Sequence, residues 1–163
     1  MAAGSTYVPI QTQTASGSVN TITFSSIPQT YTDLVLALAG NGATTTNYPQ
    51  IQINGDTGSN YSDTQLYGTG SSAASYRDTN QTGYVFATYP NTSSPTISRF
   101  NFMNYSNTTT YKTILVRIDY PAGNTNANVV LWRNTSAITS ITISQPYNFT
   151  STSTFTLYGI SAA

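Results

Sequence analysis

Chemistry in this chain has to come from a short set of side chains: Asp33, Asp56, Asp63, Asp78 and Asp119, the single Lys112, four arginines and thirteen tyrosines. Glu, His and Cys do not occur. General acid–base catalysis draws mostly on His and Glu, then on Asp, Lys, Tyr and Cys. Asp56, Asp63 and Asp78 are the candidates for a glycosidase-like carboxylate pair, which needs one carboxyl kept protonated by burial. Nothing in the Gly, Ser and Thr around them predicts such a pocket. The expectation is a non-enzymatic protein with no catalytic residues.

A second candidate is Asn54-Gly-Asp56-Thr-Gly58-Ser-Asn60, with Asp63 beyond it. Oxygen ligands at alternate positions suit a hard cation such as calcium. Two carboxylates and no bidentate Glu supply little ligand charge, however. The simpler reading is a turn whose Asn and Asp side chains cap their own backbone. With neither Cys nor His, thiolate and ordinary zinc sites are excluded. No metal and no cofactor are expected.

The tyrosines are a better lead. Tyr61, Tyr67, Tyr76, Tyr84 and Tyr89 cluster in and after a stretch rich in Gly, Ser, Thr and Asn at 55–83. That stretch reads as a long loop, and loops of such length usually serve a function. Tyr gives a rigid aromatic face and a hydroxyl at low entropy cost, which suits interfaces and sugar rings. Tyr61, Tyr67, Tyr76 and Arg77 are therefore the candidate contact residues. The competing reading is that they are half-buried strand residues favoured by the pleat. Arg77, Arg99, Arg117 and Arg133 are too few and too dispersed for a nucleic-acid stripe, and are expected to pair with the scarce Asp residues.

Charged residues make up 6% of the chain, against roughly 25% in an average soluble domain. Ser, Thr and Asn fill about two positions in five, well above ordinary usage. The formal net charge is zero, so little repulsion keeps copies apart, and association is favoured. Neither sign predominates, so no nucleic acid and no membrane surface is expected as a partner. The N-terminus has no basic, apolar signal pattern, and no run approaches the ~18 apolar residues of a membrane helix. A soluble, cytosolically made product is expected.

Positioning these residues falls to strands. β-branched and aromatic runs recur between Gly, Pro, Asn and Ser clusters, and no 3.6-residue apolar stripe appears. Residues 7–13 read as a first strand, with Pro9 marking an edge. Val19, Ile22 and Phe24 mark a second, and 33–39 (DLVLALA) reads as nearly buried on both faces. Ile51 and Ile53 alternate with Gln50 and Gln52 before the Asn54-Gly55 turn signal. Further strands are read at 84–89, at 97–105, and at 111–120, where Ile114, Val116 and Ile118 are set against Lys112, Leu115, Arg117 and Asp119. The last are read at 129–133, at 138–143 and around Phe155, Leu157 and Tyr158. Eight to ten strands imply an all-β, single-domain antiparallel β-sandwich, jelly-roll-like, over 1–163, with 1–16 as an extended arm or edge strand.

Several segments carry a resemblance. "STYVPIQTQT" leads into "ITFSSIPQTYTDLVLALAG"; "INGDTGSNYSDTQLYGTGSS" and "NYSNTTTYKTILVR" follow; "LWRNTSAITSITI" and "STFTLYGISAA" close the chain. Together they resemble small virion structural proteins of tailed bacteriophages of marine bacteria and cyanobacteria. The resemblance runs end to end and brings no catalytic residues. It implies a virion component assembled in the host cytoplasm. With no heptads or repeats to build a shaft, a capsid decoration (cement) protein is favoured, by default a homotrimer docked on the major capsid protein. The alternative is a tail-fibre or receptor-binding module that recognises a host-surface glycan.

Overall fold

The computed structural model describes residues 6–41, 48–86, 92, 95–120 and 123–161. Twelve strands and no helix occur among them. In chain order they are β1 (Tyr7–Thr14), β2 (Thr21–Phe24), β3 (Asp33–Gly40), β4 (Gln50–Ile53), β5 (Tyr61–Gly68), β6 (Ala73–Gln81), β7 (Tyr84–Val85), β8 (Thr96–Phe102), β9 (Lys112–Asp119), β10 (Thr125–Trp132), β11 (Ile141–Ser144) and β12 (Thr154–Ile160). They form a β-sandwich. One sheet has eight strands in the order β1-β12-β3-β8-β9-β10-β5-β6, and the other has four in the order β2-β11-β4-β7. Every pairing is antiparallel.

Alternation explains which face each strand buries. In β9, Ile114, Val116 and Ile118 are buried while Leu115 and Arg117 point to solvent. Register carries that face across the large sheet: Leu157, Leu36, Phe100 and Val116 lie in one row. The small sheet answers with Ile22, Phe24, Ile51, Ile53, Ile141 and Ile143, and both sets belong to one hydrophobic cluster. Its outward residues are Thr, Gln and Ser with Val85 at the edge, and Thr23 and Thr142 hydrogen-bond across strands at 3.2 Å.

β1 is an edge strand, and the ladder shifts between Pro9 and Gln11, where proline has no N–H to give. At Asn54-Gly55 both residues have positive φ, 53° and 68°, and the Asp56 N–H closes the turn on Ile53 at 2.9 Å. This is the mirror-image turn that the Asn-Gly pair favours. It does not make a hairpin, because the chain crosses from β4 in the small sheet to β5 in the large one.

Lys112 departs from the sequence reading. Its even number puts it on the face of Ile114 and Val116, so it points inward and is 1% exposed. Its ammonium donates to the carbonyls of Thr110 (2.9 Å) and Thr135 (3.0 Å), and burial lowers its pKa from the ordinary lysine value. Arg117 does pair with Asp119 (3.0 Å), two residues along on the exposed face. Such exposed pairs add little stability.

Gly159 lies against the Tyr31 ring: a Cβ there would sit 2.3 Å from a ring carbon. Tyr31 has to shift to admit it. Gly159→Ala should therefore cost about 1–3 kcal/mol by overpacking, read as a lowered urea midpoint. Adding Tyr31→Ala should recover part of that loss, and a strictly additive double variant would refute the clash.

Candidate functional site

The segment at 55–83 is not a long loop. It is mostly the β5–β6 hairpin, closed at 69–72 by the Thr69 N–H donating to the Ser72 carbonyl at 2.9 Å. Its period-two pattern was hidden because both faces are polar. Tyr61, Asp63, Gln65 and Tyr67 face the small sheet, whereas Thr64 and Leu66 face solvent. β6 is an edge strand with most of both faces uncovered.

This geometry separates the four candidate contact residues. Tyr61 is a core residue, 1% exposed, with its ring stacked on Trp132 at 6.4 Å and 23°. Its hydroxyl accepts from the Ile53 N–H at 2.9 Å, and burial pushes its pKa up to about 12. Tyr67 is half-buried on the inward face, in a row with Asn126 and Ala74. Tyr76 is exposed on that same face, in a row with Gln65 and Asn128. Arg77 points the other way, opposite Thr64 on the outer face. Tyr67 and Tyr76 share the inward face, and only Tyr76 lines the cleft described below.

The turn at 54–60 is occupied by its own side chains. The Asp56 carboxylate accepts from the Trp132 indole N–H (2.7 Å), the Asn60 amide (2.9 and 3.2 Å) and the Gly58 N–H (2.8 Å). Burial opposes its ionisation, but hydrogen bonds from Trp132, Asn60, Gly58 and Asn134 prevail and hold its pKa below the ordinary value. Those donors claim the oxygens a cation would need. Among the described residues no three acidic, His or Cys side chains gather as metal ligands.

Of the three carboxylates weighed for a glycosidase-like pair, Asp63 and Asp78 face each other directly across β5 and β6, and Asp56 lies apart in the turn before β5. Asp63 is 7% exposed, and burial first, then the Asp78 charge, raise its pKa to about 6. Tyr76 hydrogen-bonds Asp78, which raises the phenol's own pKa. Beside them a cleft of about 340 Å³ opens between the sheets, lined by Tyr48, Gln65, Tyr76, Asp78, Val85 and Phe86.

Behind this cleft the inward face is polar where a sandwich core is normally apolar. Asn126 and Asn128 are both buried there, and the Asn128 amide donates to the Tyr84 hydroxyl. Both Asn126 side-chain polar atoms and Asn128 Oδ1 have no hydrogen-bond partner among the described residues. Alternation within β10 (TNANVVLW) was the signal that could have found them, since it sets both Asn in phase with Val130 and Trp132. The arrangement can accept hydrogen bonds from hydroxyls and stack rings.

The outer face of the large sheet offers different chemistry. Leu66, Ile97, Leu115 and Val129 are exposed on it among Thr, Ser, Asn and Ala. Val129 and Leu115 are cross-strand partners, as are Arg99 and Arg117. Arg99 lies over the Tyr7 ring at 5.6 Å and donates to the Asn101 side-chain oxygen at 3.2 Å.

No family model matches the chain, and no characterised protein matches it in sequence. Among solved structures it is similar to a protein of unknown function from Shewanella oneidensis MR-1, with a TM-score of 0.30 and 12% identity over 100% of this chain and 82% of that one. It is also similar to the alginate lyase Aly36B, with a TM-score of 0.29 and 9% identity over 94% and 70%. Likeness at these levels carries no argument about activity.

Proposed function

We propose that the chain is a non-enzymatic structural protein of a bacteriophage particle, a capsid decoration protein that assembles as a homotrimer in the host cytoplasm and docks on the major capsid protein. The observation that carries this reading is the uncovered outer face of the eight-stranded sheet. It exposes Leu66, Ile97, Leu115 and Val129, with Arg77, Arg99, Arg117 and Asp119 on the same face. Packed against a neighbour, such a face gains apolar burial, and its arginines offer charged donors to the partner. Zero formal net charge leaves little repulsion between copies. The end-to-end resemblance of the sequence to phage structural proteins supports the same reading.

The test is the position of this protein's density in intact particles. Copies spread regularly over the capsid are the expected result; density confined to the tail would replace decoration with the tail-fibre reading, and absence from purified particles would remove both. As a second check, Leu115→Lys with Val129→Lys should abolish attachment to particles and leave the melting temperature within about 2–3 °C, as expected of exposed sites. Attachment at wild-type level would exclude this face.

A second reading, a receptor-binding module of the tail, draws on a separate observation: the aromatic and amide-lined cleft between the sheets.

A further inference from the structure

We propose that the cleft between β5–β6 and β7 is a binding site for a neutral saccharide. The large sheet is wider than the small one, which ends at the two-residue β7. The inward faces of β5 and β6 therefore form an open shelf beyond its edge. About 340 Å³ of cleft lies there, inside the usual range for small-ligand sites, roughly 300–1,000 Å³.

The lining has the two kinds of chemistry a sugar ring presents. Tyr48 and Tyr76 offer aromatic surface, and both are substantially exposed. An apolar ring body with a polar edge stacks well on such faces. Gln65 supplies an amide donor and acceptor, and Asp78 supplies acceptor oxygens beside the Tyr76 ring.

Selection of a neutral ligand follows from charge. Asp63 and Asp78 sit together on the shelf, and among the described residues no Lys or Arg lines the cleft. A uronate or sialate would bring a third carboxylate to the same place. Arg77, the nearest base in sequence, projects from the opposite face.

The polar floor is an independent observation. Asn126 and Asn128 occupy inward positions that β10 elsewhere fills with Val130 and Trp132, and their amides are left without full partners. Apolar residues would serve a purely structural core better, so a polar floor calls for another reason. Asn128 lies in one row with Gln65 and Tyr76, which line the cleft itself. This inference does not depend on where the chain sits in a particle. Its test uses the isolated protein, so its failure is distinct from failure of the decoration reading.

The experiment is calorimetric titration of the purified full chain with maltotriose, cellotriose, mannotriose and triacetylchitotriose, with trigalacturonate and calcium chloride as separate arms. At least one neutral trisaccharide is expected to bind in the millimolar range or tighter. Tyr76→Ala and Asp78→Asn should each weaken that binding about tenfold or more, the loss of one stacked ring or one charged acceptor. Arg77→Ala, one residue away on the other face, should bind like wild type; Tyr76→Ala and Arg77→Ala should melt as wild type does, and Asp78→Asn, which relieves the repulsion on Asp63, should melt no lower. Four outcomes would overturn the proposal: no neutral trisaccharide bound at tens of millimolar, preference for trigalacturonate, binding untouched by Tyr76→Ala, or a calcium signal lost in Asp63→Asn with none for sugars.

Discussion

Trp132→Ala is expected to destabilise the fold by about 3–5 kcal/mol, the range for deleting a large buried aromatic. Trp132 is wholly buried and sits between Tyr61 and Lys112 in one inward cross-strand row. Three separate effects converge on it. The substitution removes the largest side chain of the core, takes the stacking partner from Tyr61, and strips Asp56 of its indole donor. Tyr61 in turn accepts from Ile53, and Asp56 holds the turn that follows β4, so the damage reaches the small sheet. Trp132→Phe separates the contributions: it keeps a ring in place and loses the N–H, and should cost about 1–3 kcal/mol. Both are read from urea unfolding followed by far-UV circular dichroism, since the only tryptophan is the residue removed. A midpoint shift with unchanged m reports stability alone. A loss below about 1 kcal/mol for Trp132→Ala would mean this end of the core collapses onto the gap.

Where one face of a strand is apolar and the other polar, the sequence is easy to read. β8, β9 and β10 follow from Phe100, Phe102, Ile114, Val116, Ile118, Val130 and Trp132, and the edge position of β1 follows from Pro9. β5 and β6 escaped detection for the opposite reason. Their inward positions hold Asp63, Gln65, Tyr67, Tyr76 and Asp78, because these strands run beyond the cover of the small sheet. Lys112 was set on the wrong face by its charge, although parity with Ile114 places it inside and two carbonyls receive its ammonium. The expected strand at 84–89 is two residues long among those described, Tyr84 and Val85, and 87–89 fall outside them. Val19 and Ile138, read as strand residues, precede β2 and β11 and still pack on the core. Strand order is a property of long-range pairing. Nothing local in "QINGDTGSNY" announces that the chain changes sheets there. The candidate site suffered most, since a polar shelf in a sequence rich in Ser, Thr and Asn looks like any other stretch. Tyr76 was legible by type, and its neighbours Asp63, Asp78 and Asn128 only by register.

Folding stability is expected to fall as pH rises from about 4 to about 7, the reverse of the trend set by salt-bridged carboxylates. Asp63 holds its proton in the folded protein up to about pH 6, whereas its unperturbed pKa is 3.8. Between those values the folded state binds more protons than the unfolded chain, so deprotonation favours unfolding. The stabilising contribution is complete at low pH and is gone once the folded group has titrated. At about 1.4 kcal/mol for each pH unit between the two values, the ceiling is about 3 kcal/mol. Access of water through the open cleft reduces this to about 1–2 kcal/mol. Asp56 acts in the opposite sense and in a different window. Its pKa lies below 3.8 in the folded protein, so its stabilisation is present above that value and is lost only as pH falls further. The two together place the stability maximum near pH 4. The profile should be easy to resolve, because the sequence has no His and no Glu to titrate across the same range. Asp63→Asn should flatten the descending arm and make the protein more stable than wild type at pH 7. Asp78→Asn should leave the arm in place and move it to lower pH, since it removes the second cause of the shift and leaves the first, burial. Urea midpoints between pH 3 and 8 decide the matter. A wild-type curve that rises from pH 4 to 7, or an Asp63→Asn curve that keeps the wild-type slope, would remove Asp63 as the cause.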